Sequence, residues 1–237
     1  MIRKLYSYKP KLTAFVLIIM LIAACGTDEK RKGELTDPES IYFDYQITGE
    51  EGNDNLTIML RYRDGDKEGD AVSIREPGKV ELDGETLIAD STKMTGTFYE
   101  LHRPIDAFAG KHSIVFTSTD KKQYKEEFNF QPIVLLTALS DTIRRGDLVF
   151  EFEGLEPEDY LRVVLTDTSF DNNEINRLDT VINGKLSIPR SDLENLAPGP
   201  LHLEFIREHK RRVKNGTKQG GRLLIIYGLK RDIFLKD

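Results

Sequence analysis

The densest set of ligand-type side chains in this 237-residue sequence is Asp64-Gly65-Asp66-Lys67-Glu68-Gly69-Asp70. Alternate carboxylates on a glycine-bent loop supply the hard oxygen donors that calcium takes. Asp64, Asp66, Glu68 and Asp70 are therefore the candidate metal ligands, with calcium as the only candidate cofactor. Set against EF-hand spacing, Asp64, Asp66, Glu68, Gly69 and Asp70 fall at the first, third, fifth, sixth and seventh loop positions, but Arg75 stands where the bidentate acid belongs. The same composition suits a solvated turn, because Asp and Gly both tolerate turn backbone.

A second set is cationic, Arg207-Glu208-His209-Lys210-Arg211-Arg212-Val213-Lys214. Lys210, Arg211, Arg212 and Lys214 are the candidates for binding an anionic partner, and the competing expectation is a long solvated hairpin tip between the turn signals Asn215-Gly216 and Gly220-Gly221. Catalytic patterns are sparse. His102, His112, His202 and His209 are scattered without metal-ligand spacing, and the sequence holds no Gly-x-Ser-x-Gly elbow, P-loop or dinucleotide glycine pattern. A paired-carboxylate hydrolase remains the alternative reading, because pairs formed in space are invisible in sequence. Sugar recognition by ring stacking would call for aromatic platforms, and there is no tryptophan.

The one cysteine, Cys25, closes a basic and then apolar segment. Arg3, Lys4, Lys9 and Lys11 precede the run from Leu12 to Ala24, which matches the three-part layout of a secretory signal. Asp28-Glu29-Lys30-Arg31-Lys32 follows too soon for a spanning helix of about 20 apolar residues. Ile22-Ala23-Ala24-Cys25 resembles the bacterial lipobox, which implies acylation of Cys25 and a mature N-terminus there. Acylation also consumes the lone thiol of an exported protein that has no partner for a disulfide. Loss of residues 1–24 removes four cations and no acid, so a net charge of -6 becomes -10 over the remaining 213 residues. An acidic body of this kind has no general affinity for nucleic acid.

Behind residues 1–24, residues 25–38 are charged and carry Gly33 and Pro38, as expected of a tether reaching about 20 Å. From there the period is two. Ile41, Phe43, Tyr45 and Ile47 alternate with polar neighbours, as do Leu56, Ile58, Leu60 and Tyr62. Val80 and Leu82 lead into the hairpin dipeptide Asp83-Gly84. Further strands are expected at 96–101, 113–118 and 125–130, and after Gln131-Pro132 at 133–139, 148–152, 161–165, 185–188, 201–205 and 223–227, with 233–235 closing the last sheet. Ser191 and Glu194 predict a capping box on one helical turn near Leu193. The fold class expected is all-β, two tandem immunoglobulin-like β-sandwich domains at 39–131 and 132–237.

The strand Leu56 to Tyr62 running into Arg63-Asp64-Gly65-Asp66, together with Cys25 in its lipobox, resembles Gram-negative outer-membrane lipoproteins with immunoglobulin-like domains and a DGDGD-type loop. Lys67 and Glu68 stand where that loop usually has glycine and aspartate. Gly26 after the cysteine lacks the aspartate that signals inner-membrane retention, so the resemblance implies an outer-membrane location, with Asp28 and Glu29 similar to a surface-export signal. It implies a palmitate-bearing, non-catalytic cell-envelope protein whose partners are the membrane, through the N-terminal lipid, and an envelope protein or glycan.

Overall fold

The computed structural model describes residues 37–156, 159–168 and 174–237. The signal segment, Cys25 and most of the tether lie outside the described residues. A single 3-10 turn, Pro38–Ser40, is capped by the Asp37 carboxylate, which accepts from the Glu39 amide. Among the described residues the regular elements that follow are strands, apart from one short helix.

The first half contains β1 (Ile41–Glu50), β2 (Asn55–Asp64), β3 (Lys79–Leu82), β4 (Glu85–Thr86), β5 (Asp90–Thr92), β6 (Gly96–Pro104), β7 (Gly110–Thr117) and β8 (Gln123–Phe130). The second contains β9 (Val134–Leu135), β10 (Thr142–Arg144), β11 (Leu148–Glu153), β12 (Tyr160–Asp167), β13 (Glu174–Thr180), β14 (Lys185–Ile188), α1 (Arg190–Leu193), β15 (Gly199–Arg212) and β16 (Gly221–Lys236). The alternation in β1 and β2 works as the period demands, with all eight apolar residues buried. Asp83 and Gly84 both take positive φ, the geometry of a two-residue hairpin turn between β3 and β4.

The strands form a nine-stranded sheet, ordered β13-β12-β15-β16-β1-β2-β6-β5 with β10 also on β16, a four-stranded sheet β4-β3-β7-β8, and a three-stranded sheet β14-β11-β9. The large sheet crosses the 131/132 division. β1 pairs in parallel with β16 from Phe43 opposite Gly221 to Glu50 opposite Gly228, while β15 pairs with β16 along its whole length. The reason lies in strand length: β15 and β16 have 14 and 16 residues, and β16 at about 3.3 Å per residue extends some 50 Å. One end of this ribbon completes the sheet of residues 39–131 and the other end carries β12 and β13.

Aromatic rings fill the first core, where Phe43 meets Tyr45, Tyr62, Phe116 and Tyr124 at centroid distances of 5.5 to 5.7 Å. Phe150 and Phe152 meet Phe205 edge-on at 4.9 Å in the second. Each such ring buried contributes roughly 1.5–3 kcal/mol of transfer free energy.

Three sequence expectations change. The strand expected at 133–139 shortens to Val134–Leu135, because the chain pairs briefly with β11 and then leaves to reach β16 as β10. Helix α1 forms, but Ser191 does not cap it; the Asp147 carboxylate accepts from the Arg190 amide at 2.8 Å instead. The basic run is strand as far as Arg212, not a tip, and the turn occupies 213–220.

Candidate functional site

Strand β15 alternates Leu201, Leu203 and Phe205 into the second core, so the next residues in that row, Arg207, His209 and Arg211, must point the same way. Beyond Phe205 the core gives out and the row faces β8. Arg207 is buried and ion-pairs with Asp159 at 2.8 Å, while its guanidinium donates to the Gln131 and Gly154 carbonyls. Its Nε has no hydrogen-bond partner among the described residues.

Arg211 forms an ion pair with Glu126, a carboxylate 1% exposed, and donates to the Glu127 carbonyl at 2.7 Å. The Lys214 amide donates to the second oxygen of Glu126 at 2.7 Å, and the Asn215 side chain donates to the Lys125 carbonyl at 2.9 Å. The open edge of β8 is thus closed by side chains from β15 and its turn, which shields it from edge pairing.

Between these strands runs a groove of about 620 Å³, walled by Lys111, Lys125, His209, Arg211 and Lys214 over Arg207. Several charges in the wall are already matched. His112 bonds Asp83 at 2.7 Å and the Phe108 carbonyl at 2.8 Å while stacking on the Phe108 ring, and Lys125 pairs with Glu127 at 2.6 Å. The Lys125 hydrogen bond holds the Glu127 carboxyl below its ordinary range, with Lys111 and Lys214 adding to the effect through space. Lys111, Lys214 and Glu127 all line the groove.

Alternation along β15 separates Arg211 from Lys210 and Arg212, and the turn after β15 brings Lys214 to the side of Arg211. Arg211 and Lys214 line the groove, whereas Lys210 and Arg212 are exposed and are not part of its wall. The sequence reading missed Lys111, Lys125, the buried acid Glu126 and the half-buried Asp159. Glu126 had a readable signal: it occupies the inward row Tyr124, Glu126, Phe128, Phe130, where a charge needs a partner.

The acidic loop is organised by local bonds. Asp64 accepts from the Ser40 hydroxyl at 2.8 Å, Asp66 accepts from the Glu68 amide at 2.8 Å, and Glu68 pairs with Lys67 at 3.5 Å. Gly69 is required by contact, since a Cβ there would stand 1.8 Å from the Asp64 carbonyl oxygen. Among the described residues no three His, Cys, Asp or Glu side chains are grouped to hold a metal ion. The carboxylates with a resolved shift all move downward: Glu39 through bonds from Lys122 and Tyr124, Asp120 through Ser118, and Glu127 through Lys125. Among the described residues no helix is long and apolar enough to cross a membrane.

No protein family and no curated protein matches the chain. Among solved structures it is similar to a tetra-tandem repeat in the extending region of a large adhesion protein, at 14% identity and TM-score 0.28, covering 82% of this chain and 49% of that one. It is also similar to IG1+IG2 of DIP-gamma, at 10% identity and TM-score 0.23 over 79% of this chain and 94% of that one. The Yersinia pseudotuberculosis adhesin InvE is similar at 12% identity and TM-score 0.22, over 83% of this chain and 61% of that one. The chain spans about half the length of the first of these, at 49%. The likeness is one of β-rich architecture and assigns neither an activity nor a partner.

Proposed function

We propose that this protein is a lipid-anchored, non-catalytic module of the bacterial cell envelope, held at the outer membrane through Cys25 and serving as a binding or structural element. The observation that carries this reading is the β15–β16 ribbon. It joins strands of the two halves in one sheet and runs away from the end where the described chain begins, at Asp37. A body built this way presents its far end away from the side on which its N-terminus is fixed. The apolar run ending in Ala23-Ala24-Cys25 supplies the fixing point. Several acyl chains on one cysteine hold a protein stably, whereas one chain at about 0.8 kcal/mol per buried methylene holds it marginally.

Metabolic labelling with palmitate tests the anchor. The wild type is expected to carry label and to sediment with outer membranes, and Cys25→Ala to carry none. Equal labelling of the two would end this reading.

A further inference from the structure

We propose that the groove between β8 and β15 binds an acidic glycan through the carboxylate or phosphate groups along its sugar chain, with Lys111, Lys125 and Lys214 as the contacting cations. This deepens the reading of the protein as a binding module and rests on it.

Shape comes first. The wall follows β8 from Lys125 through Glu127 and Asn129 to Gln131, a run of six residue steps or about 20 Å, so it suits an extended ligand. A polypeptide strand added to this edge is opposed, because the carbonyls of Lys125, Glu127 and Gln131 already accept from Asn215, Arg211 and Arg207. A ligand that meets side chains instead of backbone is left.

Charge selects the class of ligand. The chain is acidic overall at -6, yet the lining of this groove sets Lys111, Lys125, Arg207, Arg211 and Lys214 against only Asp83, Glu127 and Glu156. Arg207 and Arg211 are matched from below by Asp159 and Glu126, so the floor is neutral and fixed. Among the described residues the Lys111 and Lys214 ammonium groups have no ion-pair partner, and both line the groove. Lys125 pairs with Glu127 in the open, where such pairs contribute little and exchange readily for a stronger anion. Ser113, Asn129 and Gln131 lie among the cations with amide and hydroxyl groups suited to sugar hydroxyls.

Calorimetric titration of the full chain with oligogalacturonate, a phosphorylated mannan oligosaccharide, a neutral dextran oligomer and a polyglutamate peptide tests this. Saturable binding of either acidic sugar is expected, with no binding of dextran. The two sugars separate carboxylate from phosphate recognition. Lys111→Glu with Lys214→Glu is expected to weaken binding at least ~10-fold, one charge-assisted contact being worth about that factor. Arginine at both positions should restore it. Lys210→Glu with Arg212→Glu makes the same charge change outside the groove wall and should alter binding by less than ~2-fold, as rim charges act mainly through long-range attraction. Absence of saturable sugar binding, equal losses in the two glutamate variants, or preference for polyglutamate would overturn the proposal. Cys25→Ala should bind as the wild type does, so a failed anchor and a failed groove give different results.

Discussion

Glu126 and Arg211 show how a charged side chain in this protein takes on a structural job. The carboxylate is buried within the β8 row, and Arg211 together with the Lys214 amide neutralises it. Removing one member of such a pair strands the other, at a cost of about 3–5 kcal/mol, whereas replacing both with apolar groups is often neutral. Arg211→Ala is therefore expected to destabilise the protein by about 3 kcal/mol. Adding Glu126→Leu to Arg211→Met should recover most of that loss in urea unfolding. An Arg211→Ala midpoint within error of the wild type would contradict the buried pairing. Asp44 follows the same rule, 3% exposed and held between Arg222 at 2.6 Å and Arg63 at 3.4 Å. At this scale the sequence was partly legible. A charge in an apolar row, as at Glu126 or Arg207, announces an internal partner, but the partner's identity depends on which strands meet. Lys111 and Lys125 had no such mark, because lysines on an outward strand face look alike whether or not a groove runs beside them.

Strands were legible where the period was clean and long, and obscure where other elements set the boundary. β1, β2, β11, β12 and β14 follow from apolar spacing. β13, reading Glu-Ile-Asn-Arg-Leu-Asp-Thr, buries none of its residues fully and so lacks the contrast that alternation needs. Asn183-Gly184, with both residues at positive φ, marks the turn that follows it and was overlooked beside Asp83-Gly84. The cap of α1 could not be read locally, since Asp147 lies 43 residues from the amide it accepts. The joint between β1 and β16 depends on contact at Gly221, where a Cβ would stand 2.5 Å from the Phe43 carbonyl oxygen. Gly221→Val is expected to push the strands apart and cost about 1–3 kcal/mol, the usual range for overpacking. Chemical denaturation measures this directly, and an unchanged midpoint would mean that the joint tolerates a side chain.

For the molecule as a whole, the halves are bound more closely than their sequence boundary suggests. The large sheet runs across Gln131-Pro132, and nothing local announces that β16 returns to pair with β1. Parallel pairing across 170 or more residues leaves no short-range trace, because its register is fixed by two separated segments. The full chain is expected to unfold in one transition followed alike by tyrosine fluorescence and far-ultraviolet circular dichroism. A chain ending at residue 131 would lose the strand beside β1 and the cation opposite Glu126, and should show no cooperative transition. Cooperative unfolding of that shortened chain at the full-length midpoint would refute the coupling.

The parallel direction of β1 and β16 has a mechanical consequence. β1 begins at one end of the body, and β16 starts beside it and finishes at the other, under β10 and the beginning of β15. A pull between the two ends slides these strands along each other, so the registered bonds from Phe43 to Glu50 are strained together and not parted one after another. Tension of this kind must break the whole ladder at once. Pulled from the start of β1 and the finish of β16, the sheet is thus loaded in shear and not unzipped.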